Sequence, residues 1–317
     1  GLGILASQYW GKQDTVNISR AIGVASFIGT GLSVLLAVVL WLWPVEIMDL
    51  LSNKHHLSVL GAPYLQIIGF SYVFNMLSSI YVSVQRSVEN PSFGLKLFAF
   101  STVLNTGLNY LLIYGNLGFP MLGIQGAAIA TLCARVAEFL ISLFCALRSK
   151  RLPLHLGAFC RPGWEMTRRF IRYSWPVILN ETAWGLGNSL LTVIIGYTAI
   201  SVDFLAAYGV TGNLGRLFLV VCFGLGAATA VMVGTAIGEG QSKKEVMSLS
   251  RSLLQFTVLL GTAIAVLALA LVPLVFQPYL FPLFELYGLP AKIATALAVT
   301  SFASIPLHAY SISAVTG

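Results

Sequence analysis

Uncharged, mostly apolar runs separated by short clusters of charge set the rhythm of this chain. The runs cover residues 21–43, 55–85, 97–134, 182–202, 217–238, 252–284 and 293–317. A bilayer-crossing helix needs about 20 consecutive, mostly apolar residues, and every run can hold at least one. Ten-residue segments of alternating polarity, the mark of a membrane β-barrel, do not occur in the sequence. The run at 97–134 must hold two helices, because NLGFPMLGIQG at 116–126 carries the Gly and Pro punctuation of a turn. A second turn is expected around Ser201 and Asp203. The pattern predicts the end of one span at 1–9, then spans near 19–43, 62–85, 95–114, 125–147, 174–200, 206–236, 249–275 and 292–317. The fold class is an all-α polytopic membrane protein with about nine spans.

Composition removes the soluble alternative. Hydrophobic residues make up 57% of the 317 residues and charged residues 9%, against roughly 25% charged in soluble domains. Mean hydropathy is +0.85. The formal charge of +7 does not point to nucleic acid, because the basic residues stand in loops beside spans, where they orient a membrane protein. Alternate loops place Lys12, Arg20, Arg86, Lys96, Arg148, Lys150, Arg151, Arg161, Arg168, Arg169, Arg172, Lys243, Lys244 and Arg251 on one side. Only Lys54 and Lys292 fall on the other, with Arg135 and Arg216 inside spans. The first side is therefore expected to be cytoplasmic. The segment 148–173 reads as a basic cytoplasmic linker touching anionic headgroups, and its second half could form an amphipathic surface helix. Cys133, Cys145, Cys160 and Cys222 lack metal or redox spacing.

The opening segment has an echo. ASQYWGKQD at 6–14 lines up with VGTAIGEGQ at 233–241, an offset of 227 residues. In each copy a small-residue helix ends at a glycine, Gly11 or Gly238. A long uncharged span, a proline (Pro44, Pro273) and a short acidic loop follow. Six helices separate the copies, so both have the same orientation, which describes a parallel two-lobe repeat. The expected division is 1–147 for one lobe, 148–173 for the linker and 174–317 for the other.

Four stretches then carry a resemblance: ASQYWGKQD, YGNLGFPMLGIQGAAIATLCAR (114–135), WPVILNETAWGLG (175–187) and VMVGTAIGEGQ (231–241). In this order the chain resembles the multidrug and toxic compound extrusion (MATE) family of twelve-helix secondary exporters, with six helices per lobe. The resemblance makes residues 1–9 the end of the second helix, so that the apolar start reads as a truncation. The lobes then hold the end of helix 2 to helix 6, and helix 7 to helix 10. It also implies a cell-membrane location, most simply a bacterial inner membrane, a monomer, and small organic, cationic substrates. No cofactor is implied beyond a coupling H⁺ or Na⁺.

Among the charges at membrane depth, Arg135 and Glu138 stand three apart on one helix and are expected to neutralise each other. Glu181 has no basic neighbour at that spacing. With Trp184 and Asn188 it forms a stripe, Asn180 beside it, which lipid would not tolerate and which is expected to face the interior. This carboxylate either binds a cation, with Trp184 offering a cation–π face, or is a structural acid bridged to an Asn or to Arg216. The resemblance favours the first, since NorM-type members use a Glu in the seventh helix for cation coupling. The family's acid in the tenth helix has no counterpart in 293–317, which leaves H⁺ and Na⁺ open. Asn75, with Ser78 and Ser79, and Asn105 with Asn109 could line a cavity; Asn105 and Asn109 serve equally as interhelical hydrogen-bonders. Gly123, Gly126, Ala127 and Ala130 read as a close-packing stripe.

An ion-driven exporter is thus the leading function. A lipid-linked saccharide flippase of related fold would line its cavity with cations, for which Arg135 and Arg216 are a thin set. An intramembrane enzyme would need a carboxylate dyad or a metal site, and His55, His56, His155 and His308 form none by spacing. No phosphate-binding Walker sequence is present.

Overall fold

A computed structural model describes residues 1–51, 55–149, 151–196 and 201–316; Lys54 and Lys150 lie outside the described residues. The chain forms two compact units, residues 1–174 and 175–317. In the first, α1 (Leu2–Gly11), α2 (Thr15–Leu42) and a short α3 (Pro44–Leu51) are followed by the long α4 (His55–Ser87). Then come α5 (Pro91–Tyr114), α6 (Gly123–Arg148) and the five-residue α7 (Leu156–Cys160). Helix α8 (Trp164–Gly196) contributes its first turns to this unit and the remainder to the second. The second unit continues with α9 (Ser201–Gly238), α10 (Lys243–Leu271), a π-helical segment at Val272–Leu280 and the single turn α11 (Phe281–Leu283). Helices α12 (Leu289–Ala303) and α13 (Ile305–Thr316) complete it.

Helix α4 is the axle of the first unit, packing on α1, α2, α3, α5 and α6. Leu5, Ile18, Ala21, Val84 and Val88 are almost fully buried in one core cluster, joined by Leu152 from the segment between α6 and α8 and by Met166 at the start of α8. That segment is therefore part of the packed unit. Gly23 on α2 explains how: a Cβ there would collide with the carbonyl of Phe159 on α7. In the second unit α9 and α10 both pack on α12 and α13. Phe302 anchors that core, its ring edge-on to Phe218 at 5.1 Å and tilted against Phe276 at 5.9 Å. Leu32, Leu35, Val103, Leu217 and Leu259 stay largely exposed. Apolar surface on this scale marks faces that meet lipid or another protein.

Six helical stretches among the described residues are long and apolar enough to cross a membrane, and a seventh if α12 and α13 count as one bent span. Two expected spans are not among these. Helix α1 has ten residues, and in α8 Asn180, Glu181 and Asn188 dilute the apolar content. Other differences have local causes. Pro44, preset for a helical first turn, starts α3 where a loop was expected. The expected surface helix at 163–173 runs straight into the next span, because Pro176 is accommodated inside α8. The last span bends by 40° at Ser304, where Pro306 cannot donate to the carbonyl one turn back. Helix α9 already begins at Ser201, so Ser201 and Asp203 are helical and not the centre of a turn.

Backbone geometry repeats across the echo in the sequence. At the end of α1, Gln13 N–H donates to Trp10 O and Asp14 N–H to Tyr9 O, each 2.9 Å. At the end of α9, Gly240 N–H donates to Ile237 O and Gln241 N–H to Ala236 O, each 3.2 Å. These four pairs are related by the same 227-residue offset. Both are the helix-terminating turn in which one left-handed residue, Gln13 at φ 57° or Gly240 at φ 81°, satisfies the last carbonyls. A capping residue then starts the next long helix: Asp14 accepts from Asn17 N–H, and Ser242 forms a reciprocal box with Glu245.

Candidate functional site

In the second unit the WPVILNETAWGLG stretch is helical throughout and lies on α8. Asn180, Glu181 and Trp184 are exposed and Asn188 is half-buried. The stripe is thus largely exposed on α8. The reason is that α9, α10, α12 and α13 bury their apolar faces chiefly on one another. Asn188 donates from its side chain to Trp184 O, one turn back on the same helix, at 2.8 Å. Among the described residues Glu181, exposed on α8, has no ion pair or hydrogen-bond partner. The alternative bridge to an Asn or to Arg216 is not seen among the described residues, and Arg216 is exposed on α9.

The first unit holds a polar ladder. Asn109 Nδ2 donates to Asn105 Oδ1 at 3.1 Å, and Asn105 Nδ2 to Thr131 Oγ1 on α6 at 3.4 Å. Thr131 in turn donates to Ala127 O at 2.9 Å. The ladder joins α5 to α6, and Asn109 Oδ1 remains buried without a donor. Thr131 went unmarked in the sequence; it stands one turn after Ala127 on the small-residue face, which was the available signal. Close approach makes the ladder possible: a Cβ on Gly126 would sit 2.5 Å from Leu112 O. The packing reading of that glycine and of Ala130, fully buried, fits this geometry. Asn75 is half-buried on α4, and Ser78 donates to its own helix at Phe74 O. The structure does not hydrogen-bond Asn75 to the ladder.

Arg135 and Glu138 pair as their spacing implied. Arg135 Nη1 lies 2.7 Å from both oxygens of Glu138, whose side chain is 1% exposed while that of Arg135 is 33% exposed.

The MatE family model matches residues 1–111 and 176–314, well over half of the chain and parts of both units. The chain belongs to the MatE family. Its relatives include the Probable multidrug resistance protein YoeA of Bacillus subtilis (strain 168), 25% identical over 250 residues. That match takes in 76% of this chain and 52% of YoeA. The Probable multidrug resistance protein NorM of Rhizobium meliloti (strain 1021) is 27% identical over 241 residues, 74% of this chain and 50% of NorM. This MatE chain spans about half the length of the curated relatives it matches. Among solved structures, the eukaryotic MATE transporter AtDTX14 superposes with a TM-score of 0.80 at 14% identity, over 99% of this chain and 69% of that one. A MOP superfamily transporter from Pyrococcus furiosus gives 0.76 at 19%, over 98% and 67%. With its apolar spans, the MatE chain is a multi-pass membrane protein of the MATE fold.

Proposed function

We propose that the protein works as a secondary multidrug exporter, moving small organic cations out of the cell in exchange for H⁺ or Na⁺ by alternating access. The match of the family model across both units carries this reading. Glu181 is its chemical centre. A free carboxylate at membrane depth attracts a cation strongly, and the Trp184 ring one turn away adds a cation–π face worth about 0.5–2 kcal/mol. Drug and coupling ion then compete for one negative charge. Loading the carboxylate with H⁺ or Na⁺ neutralises it and releases the drug. The protein acts as a monomer in a bacterial inner membrane, its basic loops facing the cytoplasm.

The test is efflux of ethidium from cells expressing the full-length protein with Glu181→Gln. Efflux should fall to the level of cells without the protein while abundance in the membrane is unchanged. Undiminished ethidium efflux in that variant would remove Glu181 from the mechanism.

A further inference from the structure

The first unit contains a polar cavity of about 500 Å³ that plays no part in the stripe on α8. It opens where α1 ends, α2 begins and α8 begins, so it sits at the level of span ends. Four cations, Lys12, Arg20, Arg161 and Arg169, line it against two carboxylates, Asp14 and Glu165. The carboxylates are already engaged. Asp14 Oδ1 accepts Asn17 N–H at 3.0 Å and Oδ2 accepts Asn17 Nδ2 at 2.6 Å, which caps α2. Glu165 lies 3.6 Å from Arg169, itself fixed by a 2.8 Å bond from Nη1 to the Tyr9 hydroxyl. Arg20 is held at 3.2 Å by Asn17 Oδ1.

Lys12 and Arg161 are left over: among the described residues neither side chain has an ion pair or hydrogen bond. Four cations against two carboxylates leave the cavity with a net charge of +2, Lys12 and Arg161 being the cations without a partner among the described residues. The floor adds partial positive charge, since Gly163, Trp164, Glu165 and Met166 line it with the first turn of the 33-residue α8. Exposed Trp164 on the cavity wall and Trp10, under the Arg151 guanidinium at 5.5 Å, are the aromatics expected at headgroup depth.

We propose that this cavity binds a phosphate group, carried by an anionic phospholipid or free in solution. Arg161 offers the planar fork that suits phosphate oxygens, Lys12 a point charge, and Arg169 and Arg20 add further positive charge to the lining. The volume of about 500 Å³ suits a phosphate with its glycerol or its water shell. Because the site joins α1, α2 and α8, an occupant fastens the basic segment after α6 to the rest of the unit.

The test follows thermal unfolding of the purified full-length protein in non-ionic detergent at constant ionic strength. Phosphatidylglycerol, phosphatidylcholine, sodium phosphate and sodium chloride are titrated in turn. Phosphatidylglycerol, phosphate or both should raise the midpoint by a few degrees at saturation, whereas phosphatidylcholine and chloride should not. A rise with the lipid alone identifies the headgroup as the source, and a rise with phosphate alone identifies the free anion. In Lys12→Gln/Arg161→Gln the concentration needed should increase about a hundredfold, tenfold for each cation removed from the phosphate. Lys243→Gln/Lys244→Gln, which strips the same charge from the start of α10, should titrate as the unsubstituted protein does. Both substituted side chains in the first variant are exposed and unbonded, and its midpoint without additives checks that it folds. No shift with either anion, or the same titration in both variants, overturns the proposal.

Discussion

Breaking the Arg135–Glu138 pair should cost far more from one side than from the other. Both Glu138 oxygens lie 2.7 Å from one guanidinium nitrogen, and the carboxylate is enclosed to 1% exposure. Arg135→Gln therefore leaves an acid with neither cation nor water, a situation that costs about 3–5 kcal/mol. Glu138→Gln leaves an arginine that is 33% exposed. Its long stem can swing the charge toward water or headgroups, so the loss is nearer the ~1–2 kcal/mol of a charge-assisted hydrogen bond. Removing both, as Arg135→Leu/Glu138→Met, replaces the pair with apolar packing and should come out close to neutral. The assay is a double-mutant cycle on unfolding in detergent micelles, with the full-length protein in each of the four forms. A Glu138→Gln penalty as large as that of Arg135→Gln would refute the argument from unequal burial. A double variant less stable than either single one would refute the pairing itself.

Two further outcomes follow from packing and turn geometry. Gly126→Ala should lower stability by about 1–2 kcal/mol and loosen α5 from α6, because its methyl group meets Leu112 O at 2.5 Å. Gly107→Ala, with nothing within 4 Å, should gain up to ~1 kcal/mol from helix propensity alone, and equal midpoints for the two would contradict the close-packing account. Glu285→Gly should stabilise by up to ~1 kcal/mol, since Glu285 sits at φ 57°, where a Cβ is strained; Glu285→Ala, measured by the same unfolding curve, should gain nothing.

Much of the architecture could be read ahead of the structure because a bilayer fixes helix length and excludes charge. The turn at 116–126 announced itself by Gly118, Pro120 and Gly123, and two of these adopt positive φ. The Arg135–Glu138 pair followed from spacing alone, since i and i+3 share a helix face whatever surrounds them. How exposed the Glu181 stripe is could not be read from its polarity, because burial depends on which faces neighbouring helices spend on each other. The Asn105–Thr131 bond was hidden for a related reason: a hydroxyl among alanines looks inert until another helix brings an amide to it. Pro306 was in plain view, but a proline two residues into a helix reads as a start as readily as a break.

The paired turns after α1 and α9 bear on how such a chain drifts in sequence. Each is written in main-chain donors and acceptors, which every residue except proline supplies in full, and its left-handed position is filled by Gln13 in one copy and Gly240 in the other. Random replacement can therefore erase the textual likeness of the two copies while the bend itself persists. The likeness of the two bends rests on the path of the main chain and not on the letters that fill it.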